Sequence, residues 1–216
     1  MSISTVREHP ILFSVPMVRA ILEGKKTQTR RIIKPQPQGD LLKMLGHYAV
    51  FSDKHVLSCP YGQPRDHLWV RETWTENDRG QNITKREWED IYQLLDLDTF
   101  CTEFGLPDAS PRTAKWHPSI FMPRDHSRVL LEIVEIRAER LQAITEDDAI
   151  AEGVTDKAYP AGDYDGGYVE HELGTWIGGY MALWDSINVK RGYSWQSNPW
   201  VWVVTFRALL NEQAGE

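Results

Sequence analysis

The run Gly24-Lys25-Lys26-Thr27-Gln28-Thr29-Arg30-Arg31 sets four cations beside two threonine hydroxyls within eight residues. A threonine hydroxyl is a weak nucleophile without a base, and a lysine amine is a base only when neutral. Holding a lysine neutral at pH 7 costs roughly 4.6 kcal/mol against its ordinary pKa. Burial lowers that cost, and so do nearby cations, which Lys25, Arg30 and Arg31 supply. A carboxylate beside the amine would orient it or activate water, while pushing its pKa up again. Lys26 and Thr29 therefore make a candidate base and nucleophile, provided that a desolvating pocket encloses them. The alternative reading of the same residues is a solvated basic edge.

Further along, Arg71 and Glu72 stand at the end of a short apolar run, where they either read a ligand's polar edge or pair with their neighbours. Of nine tryptophans, Trp74 is the one placed to stack on a flat ligand at a pocket edge, whereas Trp176, Trp184, Trp200 and Trp202 fall on amphipathic or apolar elements and belong to a core. His55, Cys59 and His67 are spaced unlike a zinc site, and Asp163-Tyr164-Asp165-Gly166 lacks the further ligands of a calcium loop. No Gly-rich phosphate loop is present, so neither a metal nor a cofactor is expected.

These residues need elements to hold them. Ile11-Leu12-Phe13 predicts a short strand, and residues 16–23, apolar at Met17, Val18, Ala20, Ile21 and Leu22, predict a helix closed by Gly24. Residues 27–33, with their β-branched content, predict a strand that Pro35 and Pro37 stop. Along it Thr27, Thr29 and Arg31 share one side, while Lys26 lies in the turn, where the chain can curl its amine back towards Thr29. Residues 34–60 read as a Pro/Gly-punctuated surface excursion. A turn at 62–66 leads into a strand at 67–72. Residues 77–115 read as an insertion with one helix at 84–95, and 127–137 as a central strand apolar on both faces, Val129/Leu131/Ile133 and Leu130/Val134/Ile136. Thr145-Glu146-Asp147-Asp148 has the form of a capped helix start that runs to Glu152 and stops at Gly153. A Gly-rich loop at 159–168, an amphipathic helix at 172–187 and a buried strand at 200–206 complete the chain. With no βαβ repeat, the expected class is α+β: one domain over residues 1–216, a mixed sheet or small barrel with flanking helices, and insertions at about 34–60, 77–115 and 155–170.

The 216 residues carry 24 Lys and Arg against 31 Asp and Glu, a net charge of −7. Residues 1–45 hold eight cations and three acids, so the remainder carries −12. Such a chain is not built to coat nucleic acid or an anionic membrane, and any nucleic-acid contact is expected to be local. No apolar run is long enough to span a bilayer and no secretory signal opens the chain, so a cytoplasmic location is expected. Cys59 and Cys101 form no disulfide framework and read as free thiols. No obligatory protein partner is inferred.

The G-x-K-T-x-T-x-R run, the turn and strand from Asp66 to Glu72, and the succession of central strand, acidic helix and final strand resemble the ASCH domain, a family with a PUA-like β-barrel. The resemblance covers pieces from Ile11 to Phe206. It is strongest to a longer variant found in phage and prophage genomes, through Lys115-Trp116-His117-Pro118-Ser119-Ile120, Met122-Pro123-Arg124 and Asn198-Pro199-Trp200-Val201-Trp202. The resemblance implies binding of RNA or of a modified nucleobase. One branch of the family removes the acetyl group of N4-acetylcytidine with a Lys, a Thr and a Glu, which fall on Lys26, Thr29 and Glu152 here. In that reading Thr29 attacks the exocyclic amide, Lys26 moves the proton, Glu152 positions Lys26 or water, and Arg31 or backbone N–H groups stabilise the oxyanion. Arg30, Arg31, Arg71, Glu72 and Trp74 are the expected ligand-binding residues. A non-catalytic RNA-binding module and an RNA-cleaving enzyme are the alternatives the family offers. Two departures are visible: Arg65 stands where the family usually has Gly before Asp66, and the chain is much longer than the small amidohydrolases.

Overall fold

The computed structural model describes residues 6–76, 82–94, 115–154 and 175–209. In chain order these form β1 (Glu8–Leu12), α1 (Val15–Leu22), β2 (Gln28–Ile32), β3 (Leu41–Leu45), β4 (Tyr48–Phe51), β5 (Val56–Ser58), β6 (His67–Arg71), β7 (Trp74–Glu76), β8 (Asn82–Thr84), α2 (Lys85–Leu94), β9 (Leu130–Arg140), α3 (Glu146–Ala151), α4 (Trp176–Asn188) and β10 (Trp200–Leu209). The protein is a mixed α+β structure. The expected loop at 159–168, and most of the insertions expected at 77–115 and 155–170, lie outside the described residues.

The main sheet has the order β1-β6-β9-β10-β2, with β1 and β6 parallel and the other pairs antiparallel. β9 is central, as its two apolar faces require. Which of its residues face inward differs from strict alternation. Leu131, Ile133, Ile136 and Ala138 are buried and Val134 is exposed, because the pairing with β10 slips at Thr205/Phe206 and leaves Val134 without a partner. The bulge reverses the parity of the strand after that point and bends the sheet. No backbone ladder closes the sheet into a barrel among the described residues. Its two outer strands are instead spanned by a side chain: Arg31 on β2 donates to the Leu12 carbonyl on β1 over 2.7 Å, with its guanidinium 5.1 Å from the Phe13 ring.

One expectation needs correction. Residues 34–60 are not merely an excursion, because β3, β4 and β5 form a second sheet whose Ala49 and Phe51, with Cys59 just beyond, are buried in the main core. Punctuation by Pro and Gly concealed a hairpin: Gly46, at φ +59°, makes the turn between β3 and β4, and Phe51 meets Trp200 edge-on at 5.1 Å. A further buried group, including Leu141, Ala149, Tyr180, Trp184 and Val203, packs α3 and α4 on the other side of β10. This layer holds the acidic helix against β2.

The turn before β6 holds Arg65 in an unusual conformation. Arg65 has φ +78°, the left-handed region that glycine occupies without cost and other L-residues enter at about 1–2 kcal/mol. Its N–H donates to the Ile133 carbonyl, so the backbone conformation is held from outside the turn. Arg65→Gly is expected to stabilise the fold by about 0.5–1 kcal/mol after the entropy of glycine is discounted. Denaturant unfolding of the two proteins measures it.

Candidate functional site

The site begins at the turn after α1. Glu23 and Gly24 end the helix, and Lys25 and Lys26 both donate their backbone N–H to the Ala20 carbonyl, which curls the chain tightly under the helix end. Thr27 then donates to the Ala151 carbonyl, pairing this segment with the end of α3. Lys26 and Glu152 face each other as an isolated antiparallel bridge. Gly153 makes this approach possible: it has φ +80°, and a Cβ there would lie 3.0 Å from the Lys26 Cβ.

The side chains complete what the backbone brings together. Lys26 Nζ donates to Glu152 Oε2 at 2.7 Å and to the Glu152 carbonyl at 2.8 Å, with both side chains nearly inaccessible to solvent. The amine also lies 5.8 Å from the Phe13 ring centre. Burial pushes the Lys26 amine down; the Glu152 charge and hydrogen bond pull it up, Arg31 and Arg30 push it down again, and the net direction is below 10.5. Two acceptors occupy two of the positions around the nitrogen. The third is an N–H in the ammonium and a lone pair in the neutral amine, so one geometry serves both protonation states.

Glu152 is held from its other oxygen by Arg30, whose Nη1 lies 3.3 Å from Oε1. Arg30 is wholly buried and also reaches Glu139 at 2.7 Å, Asp148 at 3.0 Å and the Gln28 side-chain oxygen at 2.6 Å, with its guanidinium 5.8 Å from the Tyr180 ring centre. Arg137 closes the network on Glu139 and Asp148. Lys26, Arg30 and Arg137 thus balance Glu139, Asp148 and Glu152, and a buried array of this kind is tolerated because each charge has a partner. The expected role of Arg30 in ligand binding changes accordingly: its hydrogen-bonding arms are turned to carboxylates, and it fixes Glu152.

Thr29 and Glu152 line one cleft of about 670 Å³, together with Arg31 and Ile32 of β2, Tyr61, and Tyr180, Leu183 and Trp184 of α4. That volume suits a ligand the size of a nucleoside or a small nucleotide. Thr29 is buried, and among the described residues no hydrogen bond joins its hydroxyl to Lys26. Burial pushes the Tyr180 phenol well above its ordinary value, and the Glu152 charge adds to this, so it stays neutral.

Arg71, Glu72 and Trp74 are not brought to this cleft. Arg71 donates to the Ile120 carbonyl and covers Trp69, Glu72 is buried against Arg86 of α2, and Trp74 stacks on His117 at 4.6 Å with His126 at its edge. Burial raises the Glu72 carboxyl above 4.5, and the Arg86 charge opposes that without cancelling it. Each of the three is thus held by partners of its own, away from β2. Conversely, Glu139, Asp148 and Tyr180 belong to the site's surroundings without having been singled out. Their one sequence signal was the acidic helix start, since Asp148 both closes the capping box with Thr145 and faces Arg30. Among the described residues no group of His, Cys, Asp and Glu is arranged to hold a metal ion.

Asp148 provides a pH test of the network. Burial acts to raise its carboxyl, but the Arg30 charge, the Thr145 N–H and Arg137 outweigh it and hold the carboxyl at about 2 against an ordinary 3.8. Because the folded-state value is depressed, its stabilisation is complete above pH 3.8 and is lost as pH falls towards 2. Asp148→Asn should therefore lower stability at neutral pH and flatten its decline across that acid window, as read from thermal unfolding at stepped pH. Comparison of the chain with protein-family models, with curated proteins and with solved structures found no match.

Proposed function

We propose that the protein is an amidohydrolase of the ASCH, PUA-like type, cytoplasmic, that removes an acyl group from the exocyclic nitrogen of a modified pyrimidine nucleoside such as N4-acetylcytidine. The observation that supports this most is the buried contact between Lys26 and Glu152, next to a cleft that Thr29 and Glu152 share. A lysine serves as a base at neutral pH only where its ammonium is disfavoured, and burial disfavours it here.

The reaction follows from the groups present. Thr29 Oγ1 adds to the amide carbonyl carbon as its proton passes to Lys26 Nζ, and the carbonyl oxygen becomes an oxyanion facing Arg31; the backbone N–H groups of residues 24–27 are already given to the Ile21, Ala20 and Ala151 carbonyls. The carbon–nitrogen bond then breaks as Lys26 returns the proton to the leaving amine. The acyl group remains as an ester on Thr29. Water, deprotonated by the neutral Lys26, adds to that ester; the bond to Thr29 Oγ1 breaks as Lys26 returns the proton to that oxygen, and the acyl group leaves as its carboxylic acid. Glu152 acts by orienting Lys26, since both its carboxylate oxygens are already engaged by Lys26 and Arg30.

Purified protein is expected to release cytidine from N4-acetylcytidine, with the rate rising with pH as Lys26 loses its proton and its midpoint below 10.5. Lys26→Ala and Thr29→Ala, checked for folding by circular dichroism, should each lose roughly 10²–10⁴-fold in kcat. Absence of turnover by folded wild-type protein would reject this substrate and favour a binding module, in which short RNAs bind with a steep dependence on salt.

A further inference from the structure

The charges lining the cleft fall into two groups. Arg30 and Glu152 are neutralised within the buried network. Arg31, Lys34 and Arg191 also line the cleft, and among the described residues none of them is paired with a carboxylate. Arg31 meets the Leu12 carbonyl and the Phe13 ring, and Lys34 lies over the ring of Tyr193, two residues beyond Arg191. Many other arginines of the chain, including Arg19, Arg86, Arg124, Arg128, Arg137 and Arg207, are held by acids. A protein of net charge −7 has acids to spare, yet it leaves three cations of one cleft without them.

Their placement is ordered as well. Lys26 and Arg31 gather at the Phe13 ring, near Thr29, whereas Lys34 lies over the Tyr193 ring and the exposed Arg191 lines the same cleft two residues before Tyr193. Thr29 and Arg31 lie within β2 and Lys34 two residues beyond its end, so the two groups of cations are offset along the chain. Aromatic Tyr61, Tyr180, Trp184 and Trp202 also line the cleft. A ligand that matches this order has a flat ring at one end and a strong anion at the other.

We propose that the Lys34–Arg191 end of the cleft is a phosphate subsite, and that the ligand is a single nucleoside phosphate rather than a neutral nucleoside. The phosphate assignment rests on the unpaired cations, and the pyrimidine at the other end rests on the function proposed above. Guanidinium and ammonium groups give phosphate oxygens charge-assisted hydrogen bonds, with the guanidinium able to bind two oxygens at once. The acidic remainder of the surface disfavours a long polyanion, which restricts the ligand to one nucleotide unit.

The test is calorimetric titration of the full chain with the four common ribonucleosides, their 5′-monophosphates and a six-nucleotide oligocytidylate. The monophosphates should bind at least tenfold tighter than their nucleosides. That advantage should shrink to twofold or less in Lys34→Ala/Arg191→Ala, and should fall as salt is raised from 50 to 500 mM. Equal affinity of each nucleoside and its monophosphate, an advantage that survives the double substitution, or the absence of binding by any of them would overturn the proposal. Binding of the oligomer more than tenfold tighter than cytidine 5′-monophosphate would also overturn it, in favour of an RNA track. The ligands carry no acyl group, so this outcome is independent of turnover: a phosphate advantage without hydrolysis of N4-acetylcytidine would retain the subsite and reject the reaction, and an advantage shared by all four bases would retain the subsite and reject the pyrimidine preference.

Discussion

A buried lysine with its carboxylate partner is the constraint around which this protein is arranged. Taking an ammonium and a carboxylate out of water costs several kcal/mol per ion after relaxation, and leaving either one alone costs about 3–5 kcal/mol. Lys26 and Glu152 are nearly inaccessible to solvent, so everything near them serves to keep them matched. Arg30 secures the second oxygen of Glu152, Glu139 and Asp148 balance Arg30, and Arg137 balances those two acids. The backbone contributes at the same place, with Thr27 hydrogen-bonded to Ala151 and Gly153 bare of a side chain where the two segments touch. Such an arrangement is a poor way to gain stability. It suits a group whose protonation has to be set.

The sheet gives this array its position. β2 is an outer strand, so the residues that begin it are free to meet the end of α3 on one side while pairing with β10 on the other. Residues 29–32 of the same strand then form the floor of the cleft, opposite α4. Arg31 contributes to both levels: it spans the gap between the two outer strands and presents a cation to the cleft. The wall of α4 supplies Tyr180, whose ring centre lies 5.8 Å from the Arg30 guanidinium.

Much of the fold was legible from local patterns, because the signals were local. The apolar faces of β9 placed it centrally, and Thr145 capped α3 as its residue type and the following acids require. The hairpin of β3 and β4 was hidden by the Pro and Gly residues around it, and the parity of β9 was hidden because a bulge at Val134 depends on the partner strand. For the site, the turn at residues 24–31 was conspicuous by composition, whereas its meeting with Glu152 is a tertiary fact, 126 residues away in sequence. Arg30 looked like a ligand residue because nothing in its own neighbourhood shows the three acids that enclose it. Arg71, Glu72 and Trp74 illustrate the converse. A charged strand end beside an aromatic reads the same whether it faces a cleft or, as here, a helix and two histidines.

The proposed chemistry depends on one property above all, a Lys26 amine that gives up its proton more readily than a solvated lysine while still bound to Glu152. It can be measured by following the Lys26 Nζ and Cε resonances of isotope-labelled protein across a pH titration, in wild type and in Glu152→Gln. The expected midpoint lies below 10.5 in wild type and moves lower still in the variant, because the carboxylate charge that favours the ammonium has been removed. A midpoint at or above 10.5, or one that Glu152→Gln leaves in place, would contradict the account.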